Sequence, residues 1–165
     1  MNSVIYVKDS LGYLGESIKI YKIRTMFPAK ESFLEKALVN ELDSLGKINN
    51  DPRITPLGKI LRKYFIDELP QIYNLAKGEI KLVGIRPKTR EIWEKFPEDI
   101  VKRALLQKPG LIAFDYAFKK TNSFQDQLYH INTYLDSYEK DPIKTDREYL
   151  FACLNNIIFK GVRSS

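Results

Sequence analysis

Hydrophobic and polar residues alternate near the N-terminus, as they do in a strand with two different faces. A β-prone run at 4–7 is followed by a glycine-containing turn, and a second run extends from Ile18 to Thr25. Successive strand residues point to opposite faces of a sheet. The pattern therefore predicts a β-hairpin, and one face of its second strand carries Ile18, Ile20, Lys22 and Arg24.

Farther along the chain, apolar residues recur about every 3.6 positions, which predicts helices. The segment 28–45 has this period, and Thr55 followed by Pro56 is typical of a helix start. Further helices are predicted to begin at Asp67, Pro97, Ser123 and Asp141, and a short strand is predicted at 79–83. The expected fold is therefore α+β, a mostly helical single domain over 1–165 with a small hairpin or sheet in its N-terminal half.

Two of the predicted helices, at 98–107 and 142–160, each carry one apolar stripe. A stripe at helical spacing usually packs on the core of its own protein, which is the prediction here. A position in a membrane interface is the alternative. In the last helix the stripe consists of Leu150, Phe151, Leu154, Ile157 and Ile158.

Composition and charge narrow the possible classes. The chain has 165 residues, with 27 Lys or Arg against 21 Asp or Glu, so its net charge is +6. The single cysteine, Cys153, excludes an intramolecular disulfide and a cysteine-cluster zinc site. The longest uncharged stretch, 149–159, is shorter than the roughly 20 residues that a membrane-spanning helix needs. The positive charge favours anionic partners, but we find no nucleic-acid-binding motif and expect no nucleic-acid partner.

Two adjacent carboxylates, Asp67 and Glu68, are the main candidates for chemistry. Helix capping alone can explain them, because Asp caps helices and Glu in the first turn suits the helix dipole. Alternatively, an ionised carboxylate can attack phosphorus, and its neighbour can hold Mg²⁺ beside substrate phosphates. Basic side chains would then bind the phosphate oxygens. The candidates are Lys22, Arg24, Arg62 and Arg86.

Four blocks of sequence occur in the order in which one family carries them. They are IYKIRTM at 20–26, NDPRITPLGKILRK at 50–63, IDELPQIYNLAKGEIKLVGIRP at 66–87 and KPGL at 108–111. On these blocks the chain resembles the bacterial sugar transferase family, the monotopic phosphoglycosyl transferases that begin surface-glycan assembly. The resemblance covers about 4–114 and leaves 115–165 as a divergent helical part.

The resemblance implies transfer of a phospho-sugar from a UDP-sugar to polyprenol phosphate, with Mg²⁺ as cofactor and UMP as product. It implies that Asp67 is the nucleophile, which forms a covalent aspartyl-phosphosugar intermediate, and that Glu68 is its partner and the metal ligand. It further implies that the substrate phosphate and nucleotide are bound by Lys22, Arg24, Arg62, Arg86 and Pro87.

The chain departs from the family pattern in three places. The family begins with an apolar re-entrant membrane helix, which we do not recognise before Val4. Its Pro-Arg-Pro element reads Ile85-Arg86-Pro87 here, and its usual arginine after the KPGL block cannot be placed. We therefore expect peripheral attachment to an anionic membrane surface at the cytoplasmic face of the bacterial inner membrane, or a cytoplasmic location if nothing replaces the anchor. A non-catalytic nucleotide-sugar-binding or regulatory homologue is the alternative function.

Overall fold

The N-terminal hairpin is the first element of the computed structural model, which describes residues 3–28, 51–118 and 123–161. Strand β1 (Ile5–Leu11) pairs antiparallel with strand β2 (Ser17–Ile23). The predicted hairpin is confirmed, although β1 continues four residues beyond the predicted run. Its polar end is held in the ladder because the register continues to the pair between Leu11 and Ser17.

Helix α1 (Pro56–Lys63) begins where the sequence predicts it. The Thr55 hydroxyl accepts a hydrogen bond from the Gly58 N–H at 2.8 Å, and Pro56 occupies the first turn. A side chain at Gly58 would collide with the chain leaving β2, because an added Cβ would lie 2.3 Å from the Thr25 carbonyl oxygen. The glycine therefore lets α1 lie directly against the end of β2.

The prediction that Asp67 caps a helix is wrong. Asp67 lies in a separate 3-10 turn (Ile66–Glu68), and helix α2 (Gln71–Ala76) begins only after it. Phe65, just before the turn, has φ 59° and ψ 17°, a left-handed conformation that a helix cannot continue through. The turn is closed instead by the Glu68 N–H, which donates to the Phe65 carbonyl at 3.2 Å.

A second pair of strands is parallel, and the 3-10 turn Phe114–Ala117 follows it. Strand β3 (Lys81–Gly84) confirms the strand predicted at 79–83 with a shift of one to two residues, whereas strand β4 (Gly110–Ala113) lies in a region that gave no clear pattern. The strands approach closely at Gly110, where an added Cβ would lie 2.1 Å from the Gly84 nitrogen. Between them run the short helix α3 (Arg90–Trp93) and helix α4 (Glu98–Leu105).

Two long helices, α5 (Phe124–Lys140) and α6 (Pro142–Phe159), form the C-terminal part. Their predicted N-caps are confirmed, because the Ser123 side chain accepts from the Asp126 N–H and the Asp141 side chain from the Lys144 N–H. Helices α4 and α5 close over the main core. Its buried members are Ile85, Trp93, Phe96, Ile100, Ala104, Phe114, Ile131, Tyr134 and Leu135.

The prediction that an apolar stripe of α6 packs on the core is wrong. The same prediction for α4 is confirmed, because Ile100 and Ala104 are buried. On α6, Phe151 and Ile158 are 65% and 66% exposed. The helix packs instead through Cys153 and Asn156 against the 3-10 turn Phe114–Ala117. Backbone carbonyls of that turn need donors, which an apolar stripe cannot supply.

Two sequence predictions remain, one on the helix at 28–45 and one on membrane-spanning helices. The helix predicted at 28–45 lies outside the described residues except for its first position. Within the described ranges, no helix has the length and apolar character needed to cross a membrane.

Candidate active site

A cleft of about 460 Å³ opens beside the Ile66–Glu68 turn. One wall is the end of β2 and the chain that follows it, and the other is helix α1 with the turn. The side chains that line it include Lys22, Arg24, Thr25, Met26, Arg62, Asp67 and Arg86. Segments far apart in the sequence thus bring several cations to one buried carboxylate.

Asp67 is the carboxylate that faces the cleft. The residue is only 5% exposed, and its Oδ1 is buried without a hydrogen-bond partner among the described residues. Burial, together with the negative charge of Glu68, raises the pKa of the Asp67 carboxyl above its usual 3.8, while Lys22 and Arg62 oppose this rise. A buried, incompletely bonded carboxylate beside open space is a candidate for contact with a ligand.

Glu68 lies behind the cleft, under two cations. The Lys22 ammonium donates to Glu68 Oε1 at 2.9 Å, and the Arg86 guanidinium donates to the same oxygen. Burial alone would raise the pKa of the Glu68 carboxyl, but the charges of Arg86 and Lys22 outweigh it and hold that pKa below 4.5. Glu68 therefore remains ionised and fixes the positions of Lys22 and Arg86.

Arg62 reaches the cleft from the last turn of α1. Its Nε donates to the Thr25 hydroxyl at 2.9 Å, and its Nη2 lies 3.0 Å from the sulfur of Met26. The Thr25 carbonyl in turn accepts from the Thr55 N–H at 3.0 Å. Arg62 is thus held against the strand end with its charge directed at the cleft.

The two remaining predicted residues are Arg24 and Pro87. Arg24 lines the cleft but is exposed, with its Nε donating to the Ser3 carbonyl and its guanidinium 5.6 Å from the centre of the Tyr6 ring. Pro87 is buried and is not among the side chains that line the cleft within the described residues. Its contribution is to follow Arg86 with a fixed backbone angle.

Sequence reasoning missed the contribution of the turn Phe114–Ala117. Burial lowers the pKa of the Arg86 guanidinium, but Tyr116, Glu68 and Asp115 outweigh it and raise that pKa above its usual value. Asp115 Oδ1 is also buried without a hydrogen-bond partner among the described residues. The sequence of this turn shows only a departure from the family pattern. No local signal in it predicts a position beside Arg86.

The arrangement suits a ligand that carries phosphate groups. Lys22, Arg62 and Arg86 present charged donors that match phosphate oxygens, and Asp67 offers a carboxylate among them. No group of three described His, Cys, Asp or Glu side chains could by itself hold a metal ion. A metal bound here would therefore take part of its coordination from the ligand.

Comparison with known proteins gives one consistent result. The family described as Bacterial sugar transferase matches residues 1–160. Galactosyl transferase CpsE of Streptococcus agalactiae is 42% identical over 109 residues, which are 65% of this chain and 24% of that protein. Undecaprenyl-phosphate galactose phosphotransferase of Salmonella typhimurium is 34% identical over 140 residues, 81% of this chain and 28% of that protein.

A shorter relative shares more of its length with the chain. Exopolysaccharide production protein ExoY of Rhizobium meliloti is 36% identical over 115 residues, which are 66% of this chain and 50% of that protein. The chain thus spans about a quarter of the length of the first two relatives and half of the third.

Proposed function

The chain belongs to the bacterial sugar transferase family, and we propose that it transfers a phospho-sugar from a UDP-sugar to polyprenol phosphate, releasing UMP. The observation that carries the proposal is Asp67, a buried carboxylate with an unpartnered oxygen in a cation-lined cleft. Two relatives are named for transfer to undecaprenyl phosphate, which supports the lipid acceptor.

The proposed reaction has two steps at one carboxylate. A carboxylate oxygen of Asp67 attacks the β-phosphorus of the UDP-sugar, and the bond from that phosphorus to the bridging oxygen breaks, so UMP leaves with the electron pair. A phosphate oxygen of the lipid then attacks the same phosphorus. The bond to Asp67 breaks, which releases the polyprenyl diphosphosugar and restores the carboxylate.

The cations have separate roles in this proposal. Arg62 and Arg86 bind the diphosphate and stabilise the negative charge that develops on the departing UMP. Lys22 is held by Glu68, and it places a third charge near the reacting phosphorus. Arg24, at the exposed margin, meets the incoming nucleotide first.

We propose Mg²⁺ as the cofactor, and an unpartnered carboxylate oxygen supports this proposal. Asp67 Oδ1 is buried without a partner among the described residues, and a cation would satisfy it. Glu68 could contribute Oε2, since its described contacts with Lys22 and Arg86 fall on Oε1. Bound there with substrate phosphate oxygens, the ion would neutralise charge on the leaving phosphate.

An apolar face of α1 supports the proposal of a membrane surface as partner. Leu57, Ile60 and Tyr64 follow one another at helical spacing and are 65%, 54% and 59% exposed. The exposed cations Lys59 and Lys63 lie beside them on the same helix, which also carries Arg62 into the cleft. We infer that this face rests on anionic lipid at the cytoplasmic side of the inner membrane, near the lipid substrate.

Vesicle binding tests the orientation separately from the chemistry. Ile60→Asn should reduce co-sedimentation with phosphatidylglycerol vesicles, because it places a polar group in the lipid-facing stripe. Ile158→Asn is a matched control on α6, where Ile158 is 66% exposed. Equal loss in both variants, or loss only with Ile158→Asn, would contradict the assignment of this face.

UMP release tests the function itself. The protein is incubated with Mg²⁺, polyprenol phosphate in detergent and a panel of UDP-sugars, and UMP is measured by coupled assay. Wild type should release UMP with at least one donor, whereas Asp67→Asn should not. Binding of a UDP-sugar by calorimetry without UMP release from any donor would support a binding or regulatory homologue instead.

A further inference from the structure

The C-terminal helix holds the turn that lies against the candidate site. Asn156, which is 6% exposed, donates from its Nδ2 to the carbonyl oxygens of Tyr116 and Ala117, both at 2.9 Å. One turn earlier, the Cys153 thiol lies 3.5 Å and 3.6 Å from the carbonyl oxygens of Ala113 and Phe114. Both side chains of α6 thus bind backbone of one short segment.

The segment held by α6 also contacts the residue before the candidate nucleophile. The rings of Tyr116 and Phe65 meet edge to face, with their centres 5.5 Å apart and their planes at 79°. Phe65 is one of only two non-glycine residues with positive φ in the described part of the chain. It directly precedes the 3-10 turn that carries Asp67 and Glu68.

This conformation of Phe65 needs support from its surroundings. Non-glycine residues, and bulky ones above all, rarely adopt the left-handed region, and they stay there only when other contacts hold them. The hydrogen bond from the Glu68 N–H to the Phe65 carbonyl depends on it. Loss of the ring contact would therefore let the turn relax and move the Asp67 carboxylate in the cleft.

We propose that Asn156 is a positioning residue for Asp67, acting through the turn Phe114–Ala117 and the contact between the rings of Tyr116 and Phe65. The nucleophile is thus aligned by a helix that lies outside the four motif blocks. The functional part of this inference rests on the proposed transferase activity. A small displacement of a nucleophile lowers the rate of reaction more than it lowers substrate binding.

The first test separates kcat from KM. Asn156→Ala should lower kcat for UMP release at least about tenfold and leave KM for the UDP-sugar within about twofold. Asn155→Ala is the matched control, because Asn155 is the exposed neighbour on the same helix, and it should leave both constants within about twofold. Equal kcat in the two variants would overturn the proposal.

The second test asks whether Asn156 acts through Phe65. Phe65→Leu should lower kcat, whereas Phe65→Tyr, which keeps an aromatic ring, should retain most of it. In the double variant Asn156→Ala/Phe65→Leu, kcat should be close to that of the less active single variant, because both changes remove the same ring contact. Losses that multiply would contradict the proposed route.

A third measurement does not depend on turnover. Hydrogen exchange of the Glu68 and Leu69 amides, which close the turn at 3.2 Å each, should be faster in Asn156→Ala than in Asn155→Ala. If wild type releases no UMP, the proposed function fails, while faster exchange still supports the positioning role. Unchanged exchange at both amides in folded Asn156→Ala would overturn that role.

Discussion

Two groups of charged side chains lie inside this protein, and they differ in whether their hydrogen bonds are complete. In the first, Lys81 donates to both carboxylate oxygens of Asp146 at 2.9 and 2.8 Å and to the Tyr134 hydroxyl at 3.0 Å. Tyr134 also donates to Asp146 at 2.8 Å. This group joins β3 to the helices α5 and α6, and its one cation and one carboxylate balance.

The second group contains Asp67 and Glu68, and it is incomplete. Glu68 is shared by Lys22 and Arg86, while Asp67 keeps a buried oxygen without a partner among the described residues. The surplus of donors in this group faces a cleft. A complete network of hydrogen bonds stabilises a fold, whereas an incomplete one beside open space indicates a site that a ligand completes.

The largest expected difference between the groups is in catalysis. Asp67→Asn should lower UMP release by at least about 10³-fold, because an amide cannot act as the nucleophile. Asp99→Asn, on the exposed side of α4, should release UMP at the wild-type rate. Comparable rates in wild type and Asp67→Asn would show that the incomplete group is not the reaction centre.

The same substitution should also affect stability in a pH-dependent manner. Because the pKa of the Asp67 carboxyl is raised in the folded protein, the folded state binds this proton more tightly than the unfolded chain. The contribution of Asp67 to wild-type stability should therefore fall as pH rises from the unfolded pKa of about 3.8 through the folded pKa. Asp67→Asn lacks this fall, so urea unfolding should show that its stability relative to wild type increases over that range.

Arg62 gives the next largest effect. Arg62→Ala removes the charged donor proposed to bind the phosphates, and such a bond contributes about 1.5–3 kcal/mol, so KM for the UDP-sugar should rise roughly 10- to 100-fold. Arg147→Ala is the control, since Arg147 is an exposed arginine on α6 that does not line the cleft. Similar steady-state constants for the two variants would remove Arg62 from the site.

A substitution in the complete group should lower stability and leave turnover unchanged. Asp146→Asn leaves the half-buried Lys81 ammonium without its counter-charge, which should cost about 1–3 kcal/mol of unfolding free energy. UMP release by the folded variant should match wild type. Asp136→Asn, which breaks a mostly exposed ion pair with Arg103, should cost less than about 1 kcal/mol. Urea denaturation distinguishes the two, and equal costs would contradict the assigned role of Lys81.

The smallest expected effect is a shift in pH dependence. In the proposed mechanism Asp67 must be ionised to attack, so its raised pKa places the acid limb of kcat/KM above pH 3.8. Glu68→Gln removes a negative neighbour that contributes to this rise, and the limb should therefore move to lower pH. Glu94→Gln, an exposed control on the surface, should not move it. A limb that moves to higher pH in Glu68→Gln would contradict the electrostatics of the pair.

Local signals in the sequence predicted the features that depend on neighbouring residues. The caps at Thr55, Ser123 and Asp141 were correct because a cap needs only a side chain and the N–H groups just after it. Asp67 resembles these residues locally, yet it lies in a 3-10 turn. The left-handed Phe65 and its contact with Tyr116, far along the chain, decide that structure.

Other errors have the same long-range origin. The α6 stripe was assigned by hydrophobicity, whereas the helix is oriented by Asn156 and the carbonyls it reaches 39 and 40 residues earlier. Strand β4 escaped prediction because a four-residue parallel strand is defined by its partner. The motif blocks contain most of the cations that line the cleft, together with Asp67. The resemblance gives Asp67 and Glu68 different roles, but the blocks do not show that Asp67 faces the cleft while Glu68 lies behind it.

Intact-protein mass spectrometry tests the nucleophilic role of Asp67 most directly. Wild type is mixed with a UDP-sugar that supports turnover, in the absence of polyprenol phosphate, and quenched. We expect a mass increase of one phospho-sugar, located on the peptide that contains Asp67, lost on addition of polyprenol phosphate and absent from Asp67→Asn. UMP that forms only when polyprenol phosphate is present, with no adduct on that peptide, would contradict it.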